Sequence, residues 1–220
     1  MPDFAIVSSD PFNLGTINSD GIIVTDIAGG PRNDFVEVLA GNARYIEDAV
    51  VILRPREEWT VSYELRTGTL TVPFGVALNG SYLVTSFSAS SSNDGYPTAS
   101  ITAIKPSSAG MIKAYSFGAI TLASIGGFGI VNKYGMTAAS SFISSTISIS
   151  MLTAEALHET NGNFETAGLY HYGFKKEVSG EAYGAITLPG TGHVTDDDIR
   201  ESRDGWKTYA ASWWEYMDAI

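Results

Sequence analysis

Residues 142–151 read FISSTISISM. Apolar and hydroxyl residues alternate along this stretch: one parity carries Ile143, Ile147, Ile149 and Met151, and the other carries Ser144, Thr146, Ser148 and Ser150. Successive side chains of a β-strand point to opposite faces of the sheet, so a period of two gives one apolar and one polar face. The stretch therefore predicts a strand that is buried on one side only.

The same alternation occurs in residues 59–76, which read WTVSYELRTGTLTVPFGV. The pattern predicts two strands, 59–66 and 69–76, joined as a hairpin at Gly68. Asn79-Gly80, Asn93-Asp94-Gly95 and Asn161-Gly162 are typical of the turns that connect antiparallel strands. We therefore expect a mainly β protein, an antiparallel split barrel or sandwich.

Composition agrees with this fold class. Of 220 residues, 24 are Ser, 19 are Thr and 23 are Gly, which favours strands and turns over long helices. The net charge of −11 argues against a surface that neutralises phosphates, so we expect no specific nucleic-acid binding. Residues 114–131 are uncharged, but their glycines and hydroxyls favour buried strands around Gly126-Gly127 over a membrane helix.

Charge is unevenly distributed along the chain. Residues 67–154 contain one acid, Asp94, and three lysines, whereas 1–66 contain eleven acids and 155–220 contain twelve. A monomer would have to expose much of so long a segment, so we interpret it as covered by neighbouring copies of the chain. The alternative is a Ser/Thr face that its own hydroxyls solvate.

A weak internal repeat appears when the chain is shifted by 60 residues. Thr69–Ser90 then aligns with Gly129–Ser150, with matching apolar parity and a shared glycine. The repeat predicts two related β units, 69–106 and 129–174, within a β region that covers 1–193.

Residues 194–220 change in character. Thr195 followed by three aspartates resembles a helix N-cap with acids in the first turn. Trp206, Tyr209, Trp213 and Met217 recur at spacings of three and four, which is the period of an amphipathic helix. We expect a C-terminal helical segment that docks on its own barrel or on a neighbouring subunit.

Residues with catalytic or metal-binding chemistry are scarce. The chain has no cysteine, its three histidines (His158, His171 and His193) have no metal-ligand spacing, and no G-x-S-x-G motif occurs. We therefore expect that the protein is not an enzyme and that it has no catalytic residue, no cofactor and no metal.

Residues 81–101, SYLVTSFSASSSNDGYPTASI, resemble the long hairpin of phage tail-tube and baseplate-hub proteins, which carry a similar S-h-S-x-S…G-Y-x-T-x-x-h run, where h is apolar. The resemblance covers about 20 residues well and about 110 loosely. It implies a split β-barrel, a twofold version of which suits the repeat, and a virion structural protein that forms rings, with no catalytic residues.

The prediction is thus a self-assembling phage tail component, a tube, hub or adaptor ring, made in the host cytoplasm and carried in the virion. Its expected partners are copies of itself and other virion proteins, and we expect it not to bind a membrane. The alternative is a carbohydrate-binding or adhesin-like β-sandwich with exposed Tyr and Trp. The residues predicted at the assembly interface are Leu70, Val72, Phe87, Ile143, Ile147, Ile149, Trp206 and Trp213.

Overall fold

The computed structural model describes residues 9–15, 21–39, 46–106, 112–113, 118–124, 130, 133–160, 163–190, 192–201 and 207–218. This part of the chain forms thirteen strands and no helix. In chain order the strands are β1 (Ile22–Leu39), β2 (Ile46–Leu65), β3 (Thr69–Pro73), β4 (Leu83–Ser92), β5 (Thr98–Pro106), β6 (Ile112–Lys113), β7 (Ala119–Ala123), β8 (Thr137–Ala138), β9 (Phe142–Thr160), β10 (Asn163–Ala182), β11 (Ile186–Thr187), β12 (His193–Glu201) and β13 (Lys207–Asp218).

One large sheet dominates the molecule. Its strand order is β1-β2-β5-β4-β9-β10-β13-β12, and every neighbouring pair on this path is antiparallel. The short β6 joins β10 in parallel, and β2 also meets β10 at one parallel pair, Leu53 with Phe164. Two small sheets, β3-β7 and β8-β11, complete the fold. The predicted antiparallel β class is confirmed, and the main sheet is open, with β1 and β12 at its edges.

The apolar face of the main sheet forms the core. Ile147, Ile149 and Met151 of β9 are buried, whereas Thr146 and Ser150 are exposed on the opposite face. Neighbouring strands contribute Val61, Tyr63, Phe87 and Ile101 to the same core. The alternation in residues 142–151 was therefore a correct prediction of a half-buried strand.

The predicted C-terminal helix is wrong. Residues 193–201 and 207–218 are strands, and β13 lies between β10 and β12 with a ladder on each side. Tyr209, Ala211 and Trp213 also share one parity, and Trp213 is only 2 % exposed. The two backbone ladders and the burial of Trp213 stabilise the extended conformation over the helix.

The predicted hairpin at Gly68 is also wrong. Gly68 does lie in the bend between β2 and β3, with a φ of +87° that suits glycine. However, β2 pairs with β1 and β5, and β3 crosses to pair with β7 in a separate sheet. The two predicted strands exist, but each finds a partner that lies far away in the sequence.

Each segment of the predicted repeat contains one hairpin. The hairpins are β4 with β5 and β9 with β10, and they meet where β4 pairs with β9. The duplication itself stays a prediction. Gly126 and Gly127 lie outside the described residues. In the part of the chain that the structure describes, no helix has the length and apolar character needed to cross a membrane.

Candidate functional site

The polar face of the main sheet is built mostly from serine and threonine. Across four adjacent strands, Ser62 of β2 lies opposite Ser100 of β5, Ser100 opposite Ser88 of β4, and Ser88 opposite Ser148 of β9. We call these four residues the serine row. Their sequence neighbours point to the core, as shown by buried Tyr63, Phe87 and Ile149. The alternation that buries one face thus creates a continuous line of hydroxyls on the other.

This face is concave. A groove of about 600 Å³ is lined by the serine row together with residues from all the other strands of the eight-strand path. Thr25 of β1 and Thr195 of β12, which belong to the two edge strands, line the same groove as the central serines. The sheet therefore curls around its polar face, where small hydroxyl side chains leave the groove open.

Pairs of hydroxyls on neighbouring strands hydrogen-bond to each other around the serine row. Three such pairs line the groove: Ser90 with Thr98 at 2.8 Å, Thr146 with Ser179 at 2.6 Å, and Thr195 with Ser212 at 2.8 Å. For the serine row, no side-chain hydrogen bond joins its hydroxyls to any residue of the described ranges. These four hydroxyls are therefore available to interact with solvent or a ligand.

Aromatic side chains lie at one end of the groove. Trp214 of β13 stacks on His193 of β12, with ring centroids 4.5 Å apart, and meets Tyr216 edge-to-face at 5.2 Å. Trp214 lines the groove, and Tyr216 is 58 % exposed. Aromatic rings that are partly wet offer flat apolar surface beside polar groups.

Charged groups flank the serine row without entering it. Asp26 lies opposite Ser62, and Glu177 lies opposite Ser148. Glu177 accepts a hydrogen bond from Lys175 at 2.6 Å, and this bond raises the pKa of the lysine. Lys175 also sits 5.6 Å from the centre of the Trp214 ring, and its charge is balanced by the Glu177 carboxylate. The row is therefore uncharged, with a carboxylate at each end.

The side chains predicted at an assembly interface lie mainly in the core, although Ile147 and Trp213 also border the groove. Six of them are buried within the single chain, each at most 3 % exposed: Leu70, Val72, Phe87, Ile147, Ile149 and Trp213. Ile143 is half-buried, and Trp206 lies outside the described residues. Their role between copies stays a prediction. Because their side chains are held in the chain's own core, such a contact would have to use the strand edges or the opposite face.

Metal-binding and histidine chemistry is limited in the described residues. No group of three or more His, Asp or Glu side chains there is placed to hold a metal ion. His193 is exposed beside Trp214, whereas the side chains of His158 and His171 lie outside the description. Compared with known proteins, the sequence matches no family model and no curated protein.

The strand patterns of the sequence do not predict the groove as a site. Its signal is present in the sequence as Ser86, Ser88 and Ser90 on one parity of β4 and Ser144, Thr146 and Ser148 on one parity of β9. Within one strand that pattern predicts a polar face that is either covered by neighbouring copies of the chain or solvated by its own hydroxyls. The strand order that lines up the four serines of the row depends on pairing between distant segments, and a single strand pattern does not contain it.

Proposed function

We propose that this chain is a structural subunit of a phage tail that assembles with copies of itself into a ring or tube. The observation that carries the proposal is the pair of edges of the main sheet. Within the described residues, β1 pairs only with β2, and β12 pairs only with β13. Each edge strand presents backbone N–H and C=O groups on its outer side, ready to pair with another strand.

The β12 edge also exposes apolar side chains. Val194 is 60 % exposed and Ile199 is 59 % exposed, and both lie opposite core-facing positions of β13. A neighbouring strand added to β12 would cover both. This combination of open backbone and exposed apolar surface favours a sheet that continues into another subunit.

The partner of β12 in this proposal is β1 of the next copy. Residues 22–28 of β1 precede Gly29-Gly30-Pro31, and Pro31 lacks the N–H that a ladder needs. The free stretch of β1 is therefore short, like the nine residues of β12. A contact between two different edges repeats from copy to copy and closes into a ring when the rotation allows it.

The assignment to a phage tail is supported by the resemblance of residues 81–101 to the hairpin of tail-tube and hub proteins. In the structure these residues span most of the β4–β5 hairpin, at the centre of the main sheet. A split barrel closed with strands from neighbouring copies is part of the proposal. With a net charge of −11 on each subunit, acids would line the channel and repel DNA phosphates, so the DNA slides.

Light scattering coupled to size-exclusion chromatography tests this proposal. We expect one oligomeric species of several subunits. The fraction of the chain in this oligomer should grow with salt, because Asp196, Asp197 and Asp198 put like charges on the β12 edge and salt screens their repulsion. A mass of one subunit at every salt and protein concentration would contradict it.

A further inference from the structure

We propose that the groove binds a neutral, linear glycan, with its sugar units along the serine row and Trp214 and Tyr216 at one end. This inference is independent of assembly, because every residue it uses belongs to one chain. It is carried by four properties of the groove: its hydrogen-bonding capacity, its spacing, its charge and its aromatic end.

Hydrogen-bonding capacity is the first property. Each serine hydroxyl has one donor and two acceptor sites. In the described residues the hydroxyls of Ser62, Ser100, Ser88 and Ser148 have no side-chain partner, although the surrounding hydroxyls pair with one another. A ligand whose surface is itself made of hydroxyls can both donate to and accept from such a row, and sugars are that class of ligand.

The spacing of the row favours a linear chain. Neighbouring strands lie about 4.8 Å apart, so four strands present hydroxyls over roughly 14 Å. One pyranose unit of an extended glycan is close to one such interval in length. A glycan that lies across the strands therefore brings a new set of hydroxyls to each serine in turn, and the groove volume of about 600 Å³ suits a short oligosaccharide.

The charge of the groove selects against anions. The serine row is neutral, and the carboxylates of Asp26 and Glu177 stand at its two ends. Carboxylates accept hydrogen bonds from sugar hydroxyls but repel phosphate and sulfate groups. Lys175 and Glu177 form an ion pair at 2.6 Å, so that end of the row carries no net charge, and the repulsion of anions comes mainly from the Asp26 carboxylate at the other end. The expected ligand is accordingly an uncharged glycan and not a nucleic acid or a sulfated chain.

The aromatic end supplies apolar contact. Trp214 of β13 lies opposite Glu177 of β10 and so continues the line of the serine row. Tyr216 lies two residues further along β13 on the same face. The C–H face of a sugar ring packs on aromatic surface of this kind, with burial of apolar area as the driving force. His193 and Lys175 already approach the Trp214 ring, so the exposed Tyr216 offers the more open of the two rings.

Isothermal titration calorimetry tests the inference with named probes: cellohexaose, chitohexaose, maltohexaose, mannohexaose and, as the anionic comparison, a heparin hexasaccharide. We expect saturable binding of at least one neutral probe and weaker binding of the heparin fragment. The double variant Ser88→Ala/Ser148→Ala removes two row hydroxyls and should weaken binding about tenfold. Tyr216→Ala should also weaken it.

The matched control is Thr71→Val/Thr121→Val. These two hydroxyls pair at 3.2 Å across β3 and β7, outside the groove, so their loss should leave sugar affinity unchanged. The inference is overturned if no neutral probe binds at millimolar concentration, if the heparin fragment binds more tightly, or if the Ser88/Ser148 variant binds as well as the control. Thermal melts of all variants identify any loss of affinity that comes from unfolding.

Discussion

Ser88 of β4 lies directly opposite Ser148 of β9, at the centre of the eight-strand path of the main sheet. The two residues are 60 positions apart in the sequence, which is the offset of the predicted internal repeat. If two copies of a unit are related by a local twofold axis, equivalent residues on their two paired antiparallel strands lie opposite each other only at the position of that axis. The order β5-β4-β9-β10 also has one hairpin on each side of that point. A duplicated β unit is one way to produce this arrangement, and the duplication stays a prediction.

The first prediction concerns the core face of β9. Ile149 is 2 % exposed, so Ile149→Lys buries a charge without a partner and should lower the free energy of unfolding by at least about 3 kcal/mol. Ser150→Lys is the control, because Ser150 is the next residue and is exposed on the opposite face. Urea denaturation measures both variants. Equal stability of the two would show that the apolar parity of β9 is not buried.

The success of that strand prediction has a local cause. The ten residues of 142–151 contain both the apolar and the hydroxyl parity, so one strand's two faces can be deduced without knowing its neighbours. The limits are equally specific. Trp206, Tyr209, Trp213 and Met217 fit a period near 3.6, whereas Tyr209, Trp213 and Met217 fit a period of two as well. Only the ladders to β10 and β12 decide between helix and strand.

Non-local pairing also explains why the Gly68 hairpin was wrong and why the groove was missed. A bend at Gly68 is visible in the sequence, but the choice of β7 as the partner of β3 is made by residues 50 positions away. The serine row likewise needs four strands from three separate segments of the chain. Neither contact leaves a pattern within one short stretch.

The second prediction concerns Gly29 in β1. Its φ is +144°, and a Cβ at this position would lie 2.1 Å from the carbonyl oxygen of Glu58. Gly29→Ala should therefore destabilise the protein by about 2 kcal/mol or more through backbone strain and a clash with β2. Gly95→Ala is the control, since a Cβ there meets only the Ser92 hydroxyl at 3.6 Å. Chemical denaturation that finds the two variants equally stable would contradict the described register of β1.

The third prediction concerns alkaline pH. Burial raises the pKa of Tyr134 to about 12, and burial together with a hydrogen bond to Glu57 raises the pKa of Tyr82 to about 12. Burial and the nearby Asp10 carboxylate also raise the pKa of Tyr63. Between pH 10 and pH 12 the unfolded chain therefore loses protons that the folded chain keeps, so stability falls as the pH rises.

Thermal melts between pH 9 and pH 12 measure this loss. Tyr134→Phe should make the decline in Tm shallower, because one group that titrates differently in the two states is gone. Tyr96→Phe is the matched control at an exposed tyrosine and should keep the full slope. The same pH dependence for Tyr134→Phe and Tyr96→Phe would show that Tyr134 does not contribute to the alkaline loss of stability.

The fourth prediction follows from the interior position of β13. Trp213 is buried at 2 % exposure, and Trp213→Ala should cost about 3–5 kcal/mol of unfolding free energy. Deletion of 206–220 should be more severe, since it leaves β10 and β12 without the strand between them, and we expect aggregation. Tyr216→Ala, at an exposed ring on the same strand, should change stability by no more than about 0.5 kcal/mol. Circular dichroism melts distinguish these cases, and a soluble, stable truncation would contradict the strand assignment.

The fifth prediction concerns the β12 edge. With Lys in place of Val194 and Ile199, adding a strand to β12 would have to desolvate two ammonium groups instead of covering apolar side chains. The change should therefore reduce assembly without unfolding the chain, since both side chains are already exposed. Val76→Lys is the control, because Val76 is an exposed apolar residue away from both edge strands. Mass photometry of the variants reports the share of assembled particles. Equal assembly of the edge variant and the control would exclude β12 from the contact.

Negative-stain electron microscopy of the purified 220-residue chain is the strictest test of self-assembly. We expect ring-shaped particles with a central channel, formed without added ligand and lost in the Val194→Lys/Ile199→Lys variant. Uniform particles of single-subunit size, or compact particles without a channel at every salt concentration, would contradict the proposal of a self-assembling tail subunit.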